Sequence, residues 1–142
     1  MNRKDFLSAI GISGGGLLLA TCMGACAKTG ADAPAPAAPP SGLDFTLDMS
    51  LPANAALNNP GGYVYSNGII VAKTVAGSIV AVSQVCTHQG TTVEYQKSSN
   101  QFYCPNHGAN FNTTGAVVNG PATSPLKQYT VTVTGNMVRV KG

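Results

Sequence analysis

Apolar and polar residues alternate along residues 43–51 of this chain. The apolar positions are Leu43, Phe45, Leu47, Met49 and Leu51. A period of two residues is that of a β-strand with one face in the core and the other in solvent. The pattern therefore predicts a half-buried strand at this point.

Two other parts of the chain combine β-branched or aromatic stretches with a short polar turn. Asn and Gly tolerate positive φ angles, so a pair of them between such stretches is typical of a two-residue β-hairpin. The first hairpin joins residues 62–65 to 69–72 across Asn67-Gly68, and the second joins residues 129–133 to 137–140 across Gly135-Asn136. Each pair is expected to form neighbouring antiparallel strands.

Three more short apolar stretches predict strands at residues 78–82, 92–95 and 100–103. No stretch shows a convincing helical period. Residues 43–142 are therefore expected to form an all-β domain, an antiparallel sandwich or barrel of short strands.

The composition agrees with an all-β fold and argues against one class of partner. The 142-residue chain has 17 glycines, 9 prolines and no tryptophan, and 9% of its residues are charged. A turn-rich composition of this kind favours many short strands over long helices. The net charge of +3 is small and the basic residues are scattered. We expect no nucleic-acid partner, because phosphate binding needs a focused basic face.

Two short boxes hold the residues that can carry chemistry. The first box, residues 86–90, reads Cys-Thr-His-Gln-Gly, and the second box, residues 104–108, reads Cys-Pro-Asn-His-Gly. They contain the only two histidines of the chain and, outside its first 26 residues, the only two cysteines. Four soft or borderline ligands grouped in this way predict one metal site. The candidate ligands are Cys86, His88, Cys104 and His107.

Two plainer interpretations of the boxes stay open at this point. A Cys86–Cys104 disulfide is plausible for an exported protein, but it leaves both histidines unexplained. A mononuclear zinc site with the same four ligands is the alternative metal site. Structural zinc boxes usually space their ligands by two or more residues, and the single residue between Cys86 and His88 fits that spacing poorly.

The pattern C-x-H…C-x-x-H, with a glycine shortly after each histidine, resembles the Rieske [2Fe–2S] proteins. The resemblance covers roughly residues 78–126. It includes residues 120–122, Gly-Pro-Ala, which match the proline loop beside the cluster in that family. It implies a Rieske-type antiparallel β-fold with a cluster-binding subdomain formed by two loops.

The same resemblance implies a cofactor and a function. It implies one [2Fe–2S] cluster per chain, with Cys86 and Cys104 on the buried iron and His88 and His107 on the outer iron. The protein would then carry one electron at a time and would not be an enzyme by itself. An oxygenase would need a further iron site with two histidines and a carboxylate, and both histidines are already used.

Four positions depart from the high-potential members of that family. Thr91 and Asn106 stand where those members carry two cysteines joined in a disulfide, so that bridge cannot form here. Ala109 and Phe111 stand where those members place Ser and Tyr hydroxyls near the cluster sulfurs. Loss of two hydrogen-bond donors should destabilise a reduced cluster. We expect a reduction potential toward the low end of the Rieske range of roughly −150 to +300 mV.

Residues 1–26 have the pattern of an export signal. Arg3 and Lys4 form a short positive region before a glycine-rich apolar stretch, and the opening also resembles a twin-arginine signal. Cys22 and Cys26 each end a stretch similar to a lipoprotein cleavage box, and Cys26 is favoured because small residues precede it. An uncleaved anchor and simple secretion are the alternatives, and each places the domain outside the cytoplasmic membrane.

Residues 27–42 are predicted to be an Ala/Pro-rich linker, extended and semi-rigid, between the signal and the domain at residues 43–142. The domain is thus expected on the periplasmic side of a bacterial membrane, held there by a lipid or an N-terminal anchor. Its expected partners are a redox donor and a redox acceptor. It would serve either as a tethered carrier or as the electron-transfer subunit of a respiratory or oxidoreductase complex.

Overall fold

The computed structural model of the protein describes residues 36–142. Within that range the chain forms ten β-strands and one short 3-10 helix, Pro52–Asn58. The strands are β1 (Asp44–Asp48), β2 (Tyr63–Ser66), β3 (Ile69–Lys73), β4 (Ile79–Ser83), β5 (Glu94–Gln96), β6 (Gln101–Tyr103), β7 (Asn110–Phe111), β8 (Val117–Asn119), β9 (Gln128–Thr134) and β10 (Met137–Lys141).

The strands form two antiparallel sheets. The larger sheet has six strands in the order β1-β10-β9-β4-β3-β2, and the smaller has four in the order β5-β6-β7-β8. The smaller sheet lies between β4 and β9 in the sequence, so it is an insertion into the larger one. This arrangement confirms the expected all-β antiparallel fold.

Both predicted hairpins are present. Strands β2 and β3 pair in register from Tyr63 opposite Ala72 to Ser66 opposite Ile69. Their turn residues, Asn67 and Gly68, have φ angles of 52° and 78°. Positive φ at both positions is the requirement of a tight hairpin turn whose twist matches its strands. Strands β9 and β10 pair in the same antiparallel way across residues 135–136.

The alternation predicted at residues 43–51 forms the shorter strand β1, and Leu51, beyond the end of that strand, is 52% exposed and not part of the core. Within β1, Leu47 is buried while Asp44 and Thr46 are exposed, and Met49 is buried just after the strand. The strand pairs with β10 at the edge of the larger sheet. Its apolar face therefore joins the core on one side of that sheet.

Strand β3 contributes to two separate cores. Ile69 and Val71 pack in a core formed mainly by the larger sheet. Ile70 and Ala72 point into a second core, which also contains Cys86 and Cys104. A strand buried on both faces has a continuous apolar sequence, which explains the Ile-Ile-Val-Ala stretch. The second core joins the smaller sheet to the larger one and holds the base of both boxes.

Three elements have no counterpart among the predicted ones: the 3-10 helix, β7 and β8. The helix buries only Leu57, and β7 and β8 have two and three residues, so none of the three shows a periodic pattern. Among residues 36–142, no helix has the length and apolar character that crossing a bilayer requires. The predicted export signal, residues 1–26, lies outside the described residues, as do residues 27–35 of the predicted linker.

Candidate metal centre

Each box lies in a loop that two strands hold in place. The first box follows β4 and precedes β5, and a bridge between Val85 and Thr92 closes the loop at its base. The second box lies between β6 and β7, which are antiparallel neighbours in the smaller sheet. Both loops therefore start and end at fixed strands, and only the box residues project from them.

The two loops share one backbone hydrogen-bond pattern. In the first, the N–H of Gly90 donates to the carbonyl of Cys86 at 2.9 Å, and the N–H of Cys86 donates to the carbonyl of Thr91 at 2.8 Å. In the second, the N–H of Gly108 donates to the carbonyl of Cys104 at 3.0 Å, and the N–H of Cys104 donates to Ala109 at 2.8 Å. The two glycines have φ angles of 76° and 77°, which L-residues rarely adopt. The glycine that ends each box is thus needed to close its turn.

The two cysteines lie side by side in the core. Cys86 is 0% and Cys104 is 2% exposed, and both are free thiols. Burial raises the pKa of the Cys86 thiol, and the neighbouring Cys104 raises it further, while N–H groups of His88 and Gln89 that point at its sulfur act in the opposite direction. Two adjacent buried thiols lose their protons together only near a strong positive charge. A metal supplies that charge.

The two histidines form a second pair. Their ring centroids are 4.8 Å apart and their planes meet at 86°. His107 is exposed and His88 is half-buried. Within residues 36–142, Nδ1 of His88 is the one buried side-chain polar atom without a hydrogen-bond partner. A buried nitrogen with no partner is costly unless something binds it, so this atom is a natural metal ligand.

The four candidate ligands therefore divide into a thiol pair and an imidazole pair. Among the described residues, no three or more His, Cys, Asp or Glu side chains are grouped to hold a single metal ion. A mononuclear zinc site with all four ligands gains no support from this arrangement. Two pairs, one of sulfur and one of nitrogen, fit a cluster of two irons that takes two protein ligands on each.

Side chains connect the loops to one another. The amide of Asn106 donates to the side-chain oxygen of Gln89 at 3.4 Å, which joins the second box to the first. The hydroxyl of Thr87 donates to the carbonyl of Ser124 at 2.6 Å. The sequence predicts residues 120–122 to be a loop beside the site, and this bond fastens Ser124, two residues after that loop, to the first box. Ala122 is buried in the same core as the cysteines.

Two asparagines outside the boxes also support the site. The amide of Asn110 donates to the side-chain oxygen of Asn119 at 2.7 Å, and both amides donate to the carbonyl of Gly108, at 3.2 and 3.3 Å. Asn119 also donates to the carbonyl of Gly120 at 3.3 Å. These contacts join the second box to the proline loop. Sequence reasoning missed them, because nothing local to β8 indicates that it lies beside the second box.

The four positions that depart from the high-potential pattern all lie at the site. Ala109 and Phe111 are fully buried in the core that contains the cysteines, and neither carries a hydroxyl. Thr91 is half-buried and accepts the hydrogen bond from Cys86, while Asn106 is exposed.

A family model described as the Rieske [2Fe-2S] domain matches residues 52–130, more than half of the chain. The match includes both boxes and the proline loop. The chain belongs to the Rieske [2Fe-2S] domain family. Its cofactor is a [2Fe–2S] cluster, and the zinc alternative is not supported.

The Rieske chain is similar to iron-sulfur subunits of the cytochrome b6-f complex. It is 36% identical to the subunit of Chlorobaculum thiosulfatiphilum over 76 residues, which cover 54% of this chain and 42% of that protein. It is 35% identical to the subunit of Chlorobaculum tepidum over 83 residues, which cover 58% of this chain and 46% of that protein. The chain thus spans less than half the length of these two curated relatives.

Solved structures share the fold. The plasma membrane Rieske protein PetC3 from Synechocystis PCC 6803 superposes with a TM-score of 0.53 and 37% identity, over 62% of this chain and 93% of that one. The ferredoxin of carbazole 1,9a-dioxygenase from Nocardioides aromaticivorans IC177 superposes with a TM-score of 0.50 and 26% identity, over 58% of this chain and 86% of that one. The fold of this chain is therefore that of Rieske proteins.

Proposed function

We propose that this protein is a one-electron carrier in which Cys86 and Cys104 hold one iron of the cluster and His88 and His107 hold the other. The observation that carries the proposal is the division of the four side chains into a buried thiol pair and an imidazole pair at the surface. When bound, the cluster supplies a one-electron redox couple. The protein's own residues determine how that couple is insulated and where a partner reaches it.

The cysteine side of the centre is insulated from water. Cys86 and Cys104 are packed in the core with Phe102 and Phe111, all with almost no exposure. A low-dielectric surrounding of this kind disfavours the additional negative charge that reduction would place on the cluster. The N–H groups that point at the Cys86 sulfur oppose this effect by favouring negative charge there.

The histidine side provides the route to a partner. His107 is exposed, and so are Pro105 and Asn106 beside it. A redox protein that docks on these exposed residues contacts the edge of the His107 ring, while Cys86 and Cys104 stay covered. Electron exchange through exposed histidine is therefore the function that the geometry favours.

The protein is proposed to act as a carrier and not as an enzyme by itself. Two of its curated relatives are named as iron-sulfur subunits of the cytochrome b6-f complex, and one structural relative is named as a ferredoxin. Rieske oxygenases share the fold, but the whole chain has two histidines and both belong to the proposed cluster. No histidine is left for a catalytic iron with two histidines and a carboxylate.

We further propose that the domain works on the periplasmic side of a bacterial membrane, tethered through its N-terminal region. The leader pattern of residues 1–26 supports export, and a relative named as a plasma membrane Rieske protein supports membrane association. Its partners would be a redox donor and a redox acceptor. A role as the electron-transfer subunit of a larger complex is the second candidate, favoured by the similarity to cytochrome b6-f subunits.

Metal and sulfide analysis tests the cofactor and its ligands. Protein purified without oxygen should contain two irons and two acid-labile sulfides per chain and should be red-brown. Replacement of Cys104 by Ser should remove both, whereas Ser98→Ala, in an exposed turn of the smaller sheet, should keep both. One zinc per chain with no sulfide would overturn the proposal.

A further inference from the structure

The last residues of the Ala/Pro-rich segment lie against the folded domain. Residues 36–40, here named the strap, are anchored at one end by Pro40, whose carbonyl accepts two hydrogen bonds. Lys127 Nζ donates at 2.9 Å and the Tyr129 hydroxyl donates at 2.5 Å. The ammonium of Lys127 also lies 4.8 Å from the centre of the Tyr129 ring. Two donors that converge on one main-chain oxygen fix this end of the strap.

The other end of the strap reaches the first box. A Cβ built on Gly90 would lie 3.4 Å from Cα and 3.6 Å from Cβ of Pro36. Gly108, the equivalent glycine of the second box, has nothing within 4 Å of the same position. The two boxes share one backbone pattern, but the strap lies against the glycine of the first box and not against that of the second.

A groove of about 380 Å³ lies between the strap and the domain. The strap forms one wall, and the other walls include Val85, Cys86, Pro125 and Leu126. The lining is mostly apolar, and the alanine and proline side chains of the strap form part of it. Three of the five strap residues are proline. A chain with fixed φ angles loses less conformational entropy when it docks.

We propose that the strap is a docked part of the folded domain that closes the flank of the first box, so that a partner reaches the metal centre from the side of the second box. The folded region would then include residues 36–40 and would not begin at residue 43. The docking itself stands independently of the cluster. Only the direction of partner approach rests on the proposed function.

Hydrogen exchange provides a test with an internal control. The N–H groups of Gly90 and Gly108 make equivalent bonds, at 2.9 and 3.0 Å, to the cysteine carbonyls of their boxes. In the full chain, we expect the first-box amide to exchange several-fold more slowly than the second-box amide. The double substitution Lys127→Met and Tyr129→Phe removes both donors to Pro40, and it should speed exchange at Gly90 while exchange at Gly108 stays unchanged. Equal rates in the parent protein, or no response at Gly90, would overturn the proposal.

Fluorescence provides a second test that does not depend on the boxes. The chain has no tryptophan, so Ala38→Trp places a single reporter in the exposed middle of the strap. Its anisotropy should decay with the slow tumbling of the domain, as for a Ser98→Trp control in an exposed turn. The double substitution should add a fast decay to the strap reporter only. A fast decay at position 38 in the otherwise unchanged chain would contradict docking. The anisotropy is measured on the iron-loaded protein, and iron and sulfide analysis of the same sample tests the cluster separately.

Discussion

The imidazole rings of His88 and His107 lie with their centroids 4.8 Å apart and their planes at 86°, although they come from different loops. Neither loop alone can build this pair. The two loops share one backbone hydrogen-bond pattern, and each is closed by a glycine with φ near 76°. The metal centre is therefore a property of the two loops together.

Replacement of His107 by Ala should abolish the Rieske visible and electron paramagnetic resonance spectra, because one iron loses half of its protein ligands. His107 is exposed, so the β-sheet signal in far-ultraviolet circular dichroism should remain. The exposed Ser98→Ala variant is the control and should keep both spectra. An intact Rieske spectrum in the His107 variant would refute its assignment as a ligand.

The hydrogen bond between Asn106 and Gln89 should make a small contribution to stability, since both side chains are exposed and the bond is 3.4 Å long. Replacing either residue with Ala should lower the free energy of unfolding by about 0.5–1 kcal/mol, measured by urea denaturation of the iron-loaded protein. The exchanged pair Gln89→Asn with Asn106→Gln keeps the total length of the two side chains and should recover most of the loss. A double alanine variant that loses the sum of both single effects would show that the pair does not interact.

Restoring hydroxyls near the cysteines should raise the reduction potential. Ala109→Ser and Phe111→Tyr each add a donor within the core that contains both thiols. A hydrogen bond to a charged group contributes roughly 1.5–3 kcal/mol. For a one-electron couple this converts to an increase on the order of 60–130 mV per hydroxyl. Voltammetry measures the shift, with Ala116→Ser, on an exposed turn, as a control that should leave the potential unchanged. A wild-type potential already near the top of the Rieske range would contradict this explanation.

Tyr65 should make the stability depend on alkaline pH. Its hydroxyl donates to the carbonyl of Val93 at 2.9 Å, and burial, with smaller effects of Tyr63 and Glu94, raises its pKa to about 12. A raised pKa means that the folded state holds the proton more tightly than the unfolded state, whose pKa is about 10. The contribution is complete below pH 10 and is lost as the pH rises toward 12. Urea denaturation at several pH values should show this loss, and the Tyr65→Phe variant should reduce it. An unchanged slope in that variant would assign the effect to other groups.

The sequence predicted the elements whose signal is local. The Asn67-Gly68 turn and the alternation in β1 each depend on residues within one stretch, and the structure has both. The boxes were expected on loops between strands, and both lie there. Their contents also led to the family, because the spacing of thiols and imidazoles is itself a chemical requirement.

Features that depend on distant residues were not predictable in the same way. Strand β9 pairs with β4 although more than forty residues separate them in the sequence. The strands of the smaller sheet all lie between these two strands in the sequence. The bonds of Asn119 to the second box and of Pro40 to Lys127 link residues that share no local pattern. An Ala/Pro-rich stretch has the same composition whether it is free or docked. Only tertiary contacts distinguish the two.

The most direct test of the metal centre uses the two histidines of the chain. The protein is labelled with ¹⁵N in histidine only, reduced, and studied by electron–nuclear double resonance. The chain has two histidines, His88 and His107, so every labelled residue is a proposed ligand. The spectrum should therefore show two strongly coupled nitrogens. Two couplings to a reduced two-iron cluster are the predicted result. A cluster with no coupled histidine nitrogen, or with only one, would contradict the proposed ligands.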